Sequence, residues 1–195
     1  MSHLECKFQC GEPHGILWPL PRTVNLFEQS VSRVDPNNVV LVMGGSDVQD
    51  VWLNEIVAEQ EALLLAKAEG RTILPTETGV KITVHIPSDP EKPRLTLDTD
   101  ESYSLDLRPI ADMVEATVNA TTYFGARHGL ETLFQLIDYD DIKQSFVMID
   151  QGRISDRAAY PHRGVSVDTS RNFISIPVLK NIVNGMSHSK VCRRW

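Results

Sequence analysis

Apolar residues recur along this chain with two periods, and the switch between them marks the secondary structure. Val39-Val40-Leu41-Val42-Met43 is a compact β-branched run closed by Gly44-Gly45, which predicts a buried strand and a turn. Leu53, Ile56, Val57, Leu63, Leu64 and Ala68 then return near helical spacing, with Ser46 or Asp47 available as the cap and Gly70 as the stop. Val80, Ile82, Val84 and Ile86 alternate with Lys81, Thr83 and His85, the period of a half-buried strand that leaves His85 in solvent. Leu95-Thr96-Leu97 and Tyr103 to Leu107 flank the acidic Asp98-Thr99-Asp100-Glu101 and predict a hairpin with a charged, solvated tip. Val114, Ala116 and Val118 against Glu115 and Thr117 give a strand over Met113 to Asn119. Leu130, Leu133, Phe134 and Leu136 give a helix over Arg127 to Leu136. Strands joined by hairpins and interrupted by two helices predict an α+β domain, with both helices on one face of a mostly antiparallel sheet.

The last third reads differently. A short strand at Phe146 to Ile149 precedes the polar stretch Gln151 to Pro161, which suits a domain boundary. Gly164 to Asp168 reads as a strand, Asn172 to Ile176 as a connection, and Pro177 to Ser187 as a helix with proline in its first turn. One strand and one helix cannot close a core around Ile176, Val178, Leu179, Ile182, Val183 and Met186. This unit must dock on the first domain or be continued by more chain, and its apolar side chains are expected to stay poorly buried. At the other end, residues 1 to 24 are rich in Pro, Gly and Cys and read as an extended lead-in.

Composition narrows the function classes. The 195 residues carry a net charge of −7 with no basic block longer than Arg193-Arg194, which argues against nucleic acid as a partner. No apolar run approaches the roughly 20 residues of a membrane span, and Met1 to Gln9 has no apolar signal core. Of Cys6, Cys10 and Cys192, at most two can pair within the chain. The Cys6 and Cys10 spacing lacks the second ligand pair of a zinc site. The acidic tip lacks the glycine and distal glutamate of an EF-hand. There is no P-loop, G-x-G-x-x-G, H-E-x-x-H or G-x-S-x-G, and the histidines are scattered, so metal-assisted and serine hydrolysis find no support.

Three segments carry a family resemblance. Pro161-His162-Arg163-Gly164 followed by Asp168-Thr169-Ser170-Arg171-Asn172-Phe173 resembles the start of the catalytic barrel of glycoside hydrolase family 20, the β-N-acetylhexosaminidases. Phe124-Gly125-Ala126-Arg127-His128-Gly129-Leu130-Glu131-Thr132-Leu133 is similar to a signature of that family's amino-terminal domain. Cys6-Lys7, Cys10-Gly11 and Leu17-Trp18-Pro19 look like the insect members.

The resemblance implies an extended lead-in over residues 1–16, an amino-terminal α+β domain over 17–155, and the first strand and helix of a truncated (β/α)8 barrel over 156–195. It implies a cofactor-free, retaining, substrate-assisted glycosidase acting on glycans that end in N-acetylglucosamine or N-acetylgalactosamine, chito-oligosaccharides or glycoproteins, in which the sugar's own acetamido oxygen attacks. It also implies a secreted or lysosomal location and leaves open a homodimer of the full-length form.

Arg163 is the one residue it assigns to the substrate, holding hydroxyls of the terminal sugar. Asp168 and Arg171 are either supports of that site or a structural ion pair. Asn119-Ala120-Thr121 is an N-glycosylation acceptor pattern. The family's catalytic Asp-Glu pair has no counterpart in the barrel portion, since Asp100-Glu101 is the sole adjacent pair in that order and lies in the wrong domain. After Lys190 the resemblance stops abruptly, as in a truncated product. No catalytic residue is therefore assigned, the chain alone is expected to be inactive, and the alternative is a non-catalytic binding or interaction module derived from the family.

Overall fold

The computed structural model describes residues 17–27, 30–44, 51–87 and 94–191. The proposed cap residues Ser46 and Asp47, the lead-in 1–16 and all three cysteines lie outside them. Strands β1 (Thr23–Leu26), β2 (Val31–Val34) and β3 (Val39–Met43) lead into helix α1 (Val51–Lys67), then β4 (Gly79–His85), β5 (Tyr103–Ile110) and β6 (Met113–Ala120). Helix α2 (Tyr123–Gln135), strands β7 (Ile137–Asp140), β8 (Ser145–Ile149) and β9 (Gly152–Asp156), and helix α3 (Ile176–His188) complete the order.

A six-stranded sheet runs β1-β9-β5-β6-β4-β3, and a three-stranded sheet runs β2-β8-β7. Most pairings are antiparallel, as expected, but β3 with β4 and β4 with β6 are parallel. The expectation of hairpins without crossovers fails there. Parallel neighbours need a long connection, and α1 supplies the one from β3 to β4.

The alternation in β4 is realised: Val80, Ile82 and Val84 are buried while His85 is exposed. In β6, Val114, Ala116 and Val118 are buried in the same way. Helix α2 starts at Tyr123, four residues before Arg127, because the Thr122 hydroxyl accepts a hydrogen bond from the Gly125 amide and caps it. Helix α2 packs on β5 and β6, and α1 packs beside it on α2. Gly125 and Gly129 allow the close approach. A Cβ on Gly129 would stand 2.7 Å from Val118 Cγ1 and 3.2 Å from the Tyr103 ring, and one on Gly125 would press into the Ser102 carbonyl oxygen.

Two expectations are corrected. The Leu95–Leu97 strand is not formed, and residues 94 to 100 are a turn region in which the Thr99 hydroxyl accepts from the Thr96 amide at 2.7 Å. The hairpin partner of β5 is β6, so the acidic stretch is no hairpin tip and Glu101 is buried. Secondly, Gly164 to Asp168 does not form a strand; Gly164 has one isolated bridge and 165–169 is irregular. A parallel barrel strand is stable when neighbours and helices cover it, and the described residues provide none for it.

Helix α3 forms as predicted, with Pro177 in its first turn. It buries none of its residues, and Ile176 is 68% exposed. From Ser155 to Val191, the described residue that is buried is Lys190, at 6% exposure.

Candidate functional site

The residues after β9 meet the body of the domain through polar groups. Arg163 is the centre of the first cluster. Its Nη2 pairs with the Glu101 carboxylate, Nη1 donates to the Tyr160 carbonyl at 2.6 Å, and Nε donates to the Lys190 carbonyl at 3.0 Å. Glu101 is placed by the chain's entry into β5. His128 Nε2 lies 4.0 Å from the same carboxylate, but burial and the nearby charges of Arg127, Lys190 and Arg163 push the imidazole down to about 3. At neutral pH, His128 is an uncharged neighbour of Glu101 and the ion pair belongs to Arg163.

Lys190 forms the second cluster. Its Nζ donates to the Tyr103 hydroxyl at 2.9 Å and to Thr132 Oγ1 at 2.7 Å, and lies 3.5 Å from Asp156 Oδ2. The Thr132 hydroxyl donates to the His128 carbonyl at 3.0 Å, leaving its lone pairs for Tyr103 and Lys190. Nζ also stands 4.9 Å from the centre of the Tyr103 ring. Burial lowers the lysine's affinity for its proton, with Asp156 opposing that shift, and burial raises the pKa of Tyr103.

Further along, Glu131 receives a hydrogen bond from Gln60 of α1 at 2.8 Å and faces His188 Nδ1 of α3 at 3.1 Å. Arg127 donates to Ser187. The clusters border a cavity of about 210 Å³ lined by Glu101, Tyr103, His128, Asp156, Arg163 and Lys190 among others. A second cavity of about 280 Å³, lined by Trp52, Ile56, Tyr123 and Phe124 among others, lies between the starts of α1 and α2.

The other candidate residues lie apart from these clusters. Arg171 Nε and Asp168 Oδ2 form an ion pair at 2.8 Å in the exposed stretch before α3, and Asp168 Oδ1 also accepts from the Ser170 amide. Asn119 is exposed near the end of β6, its Nδ2 donating to Ser104 Oγ at 3.4 Å. No group of three or more metal-ligating side chains occurs among the described residues, and none of their helices is long and apolar enough to cross a membrane. Sequence reading misses Glu101, assigned to a solvated turn, and Lys190, noted only as the last residue of the resemblance.

The described residues form a mostly antiparallel sheet with two packed helices, followed by an irregular stretch and the exposed helix α3. Solved structures share this fold: a chitobiase from Flavobacterium johnsoniae superposes with a TM-score of 0.61 at 27% identity, covering 90% of this chain and 26% of the other. Residues 17–136 match the family described as beta-acetyl hexosaminidase like, and residues 160–193 match the catalytic domain of glycosyl hydrolase family 20. The chain belongs to glycoside hydrolase family 20, the β-N-acetylhexosaminidases, and corresponds to their amino-terminal part.

Among curated relatives, a chitooligosaccharidolytic beta-N-acetylglucosaminidase of Ostrinia furnacalis is 37% identical over 191 residues, which is 95% of this chain and 31% of the relative. Its counterpart in Bombyx mori is 32% identical over 188 residues, with the same two coverages. The chain thus spans about a third of the length of these relatives.

Proposed function

We propose that this chain is the amino-terminal part of a retaining, substrate-assisted β-N-acetylhexosaminidase. The whole protein would remove terminal N-acetylglucosamine or N-acetylgalactosamine from chito-oligosaccharides or glycoproteins. The observation that carries the reading is the pair of family matches in one chain, 17–136 to the auxiliary domain and 160–193 to the catalytic one. The names of the insect relatives favour chito-oligosaccharides.

In this reading residues 156–195 begin a (β/α)8 barrel, and Arg163, paired with Glu101 in this chain, is the side chain that this part contributes to the sugar site once the barrel is complete and that pair is released. Asp168 and Arg171 act as a structural pair beside it. The orienting aspartate and the acid glutamate belong to chain beyond these residues, so the 195-residue polypeptide is a non-catalytic module by itself. Export to the cell exterior or the lysosome accompanies the reading, with the exposed Asn119 as glycan acceptor.

The test compares this polypeptide with a form extended into the full barrel, on a chromogenic N-acetylglucosaminide. Activity confined to the extended form, with a raised KM on Arg163→Ala, supports the proposal. An inactive extended form with a folded barrel overturns it.

A further inference from the structure

In α3, the structure departs from a strong backbone preference. The Val191 amide donates to the Met186 carbonyl at 2.9 Å and the Lys190 amide to the Ser187 carbonyl at 3.2 Å. This is the paired hydrogen-bond pattern of a Schellman cap, whose reversing residue is usually glycine. Here that residue is Lys190, with φ at +54°. A left-handed conformation is disfavoured for an L-residue with a Cβ, and glycine would relieve it. Ala111 and Gln144 share this conformation, so φ alone assigns no role; what sets Lys190 apart is where its side chain goes.

Nζ of Lys190 has three donors, and they face three acceptors on three different elements: the Tyr103 hydroxyl at the start of β5, the Thr132 hydroxyl in α2 and the Asp156 carboxylate at the end of β9. The helix that precedes it contributes no buried residue. Leu179, Ile182 and Met186 on one side of α3 are half-buried and none is fully buried, so its apolar face is a weak hold on the body, in line with the expectation that these side chains stay poorly buried.

We propose that Lys190 is a plug: its insertion among Tyr103, Thr132 and Asp156 docks the 157–191 segment on the amino-terminal domain, and that contact, more than the half-buried stripe of Leu179, Ile182 and Met186, positions α3. Arg163 on Glu101, His188 on Glu131 and Arg127 on Ser187 are the flanking contacts of the same surface. On the reading that this segment opens a catalytic barrel, the plug sets where the first barrel helix stands while its apolar side remains available to the units that follow. A polar plug suits that task because it fixes position without consuming the apolar face.

Two measurements on the 195-residue chain test this without glycan or activity, so their failure leaves the family reading untouched. The first is per-residue amine acylation followed by mass spectrometry. Lys190 is expected to react at least tenfold more slowly than the exposed Lys180 of α3; equal rates overturn the proposal.

The second is amide hydrogen exchange in Lys190→Gly and Lys190→Met. Lys190→Gly improves the cap and removes the plug, so a cap role and a plug role lead to opposite results. Exchange across 176–189 rising about tenfold in both variants, with β5 and β6 unchanged, supports docking. Unchanged or slower exchange in Lys190→Gly overturns it, as does an equal rise in β5 and β6, which would make Lys190 a general stability residue. Should either variant fail to fold, Thr132→Val removes one acceptor at constant volume and is expected to loosen the same peptides selectively.

Discussion

The guanidinium of Arg163 and the carboxylate of Glu101 meet across 62 positions of sequence, with the Glu101 side chain 4% exposed and that of Arg163 20% exposed. Removing one partner of a buried pair leaves an uncompensated charge, which costs about 3–5 kcal/mol when burial is complete. Arg163 keeps some solvent contact, so we expect Arg163→Ala to lose about 3 kcal/mol in urea unfolding at neutral pH. Arg171→Ala breaks an exposed pair and should change stability by less than about 1 kcal/mol. Equal losses in the two variants would show that the Glu101 contact is no stronger than a surface one.

Replacing Gly129 tests the helix-to-sheet contact. Alanine is favoured over glycine in a helix interior by about 1 kcal/mol. Against this, the added methyl group would meet Val118 at 2.7 Å in a region where neither partner is exposed. Overpacking of this kind costs about 1–3 kcal/mol. The net loss centres on about 1 kcal/mol, so Gly129→Ala should lower the thermal midpoint by about 2–4 °C, and a raised midpoint would show that α2 can move off the sheet.

The strongly periodic elements were legible in the sequence because one face of each meets the core. Val80, Ile82 and Val84 alternate because one face of β4 is buried, and Leu130, Leu133 and Phe134 are buried positions of α2, the helix that packs on β5 and β6. Strands β1, β2, β7 and β9 were not legible. They have four or five residues, and β9, Gly-Arg-Ile-Ser-Asp, buries Ile154 alone, so pairing rather than pattern makes it a strand. The family motif singles out Arg163 as a residue for the sugar, and in this chain it pairs with Glu101. Its partner Glu101 was hidden because an Asp-Thr-Asp-Glu run looks solvated until the 157–191 segment folds back and brings an arginine to it. Lys190 was hidden for the opposite reason, since a lysine that ends a helix is ordinarily a surface residue.

His128 gives an acid dependence with a definite sign. Its folded value is held near 3 by burial and by the cationic neighbours, against about 6.5 for the exposed group in the unfolded chain. Between those values the unfolded state binds the extra proton, so stability falls as pH drops from about 6.5 toward 3 and is insensitive to this group above that window. The slope contributed is at most about 1.4 kcal/mol per pH unit. Urea midpoints at pH 7 and pH 4.5 should converge in His128→Gln relative to the parent. An unchanged difference would assign the acid sensitivity to the carboxylates instead.

The 195-residue polypeptide should not hydrolyse N-acetylhexosaminides above background. General acid help alone is worth roughly 10²- to 10⁴-fold, and it needs a carboxyl that is protonated at the working pH and within reach of the leaving oxygen. The one Asp-Glu sequence offers neither. Asp100 is held below the ordinary carboxylate range by hydrogen bonds from Ser102 and Thr121, so it stays ionised. Glu101 is buried in the body with its carboxylate committed to Arg163. Arg163 itself stays protonated and cannot donate at neutral pH. The cavity beside them, about 210 Å³, is lined by two carboxylates, but Glu101 is paired with Arg163 and Asp156 with Lys190, so neither is placed as a free acid. A chromogenic assay with the purified polypeptide settles the matter. Turnover that survives repeated purification and disappears in Glu101→Gln would mean that Glu101 leaves Arg163 and acts as the acid, and that the Arg163 contact is one of two states rather than the resting place of that side chain.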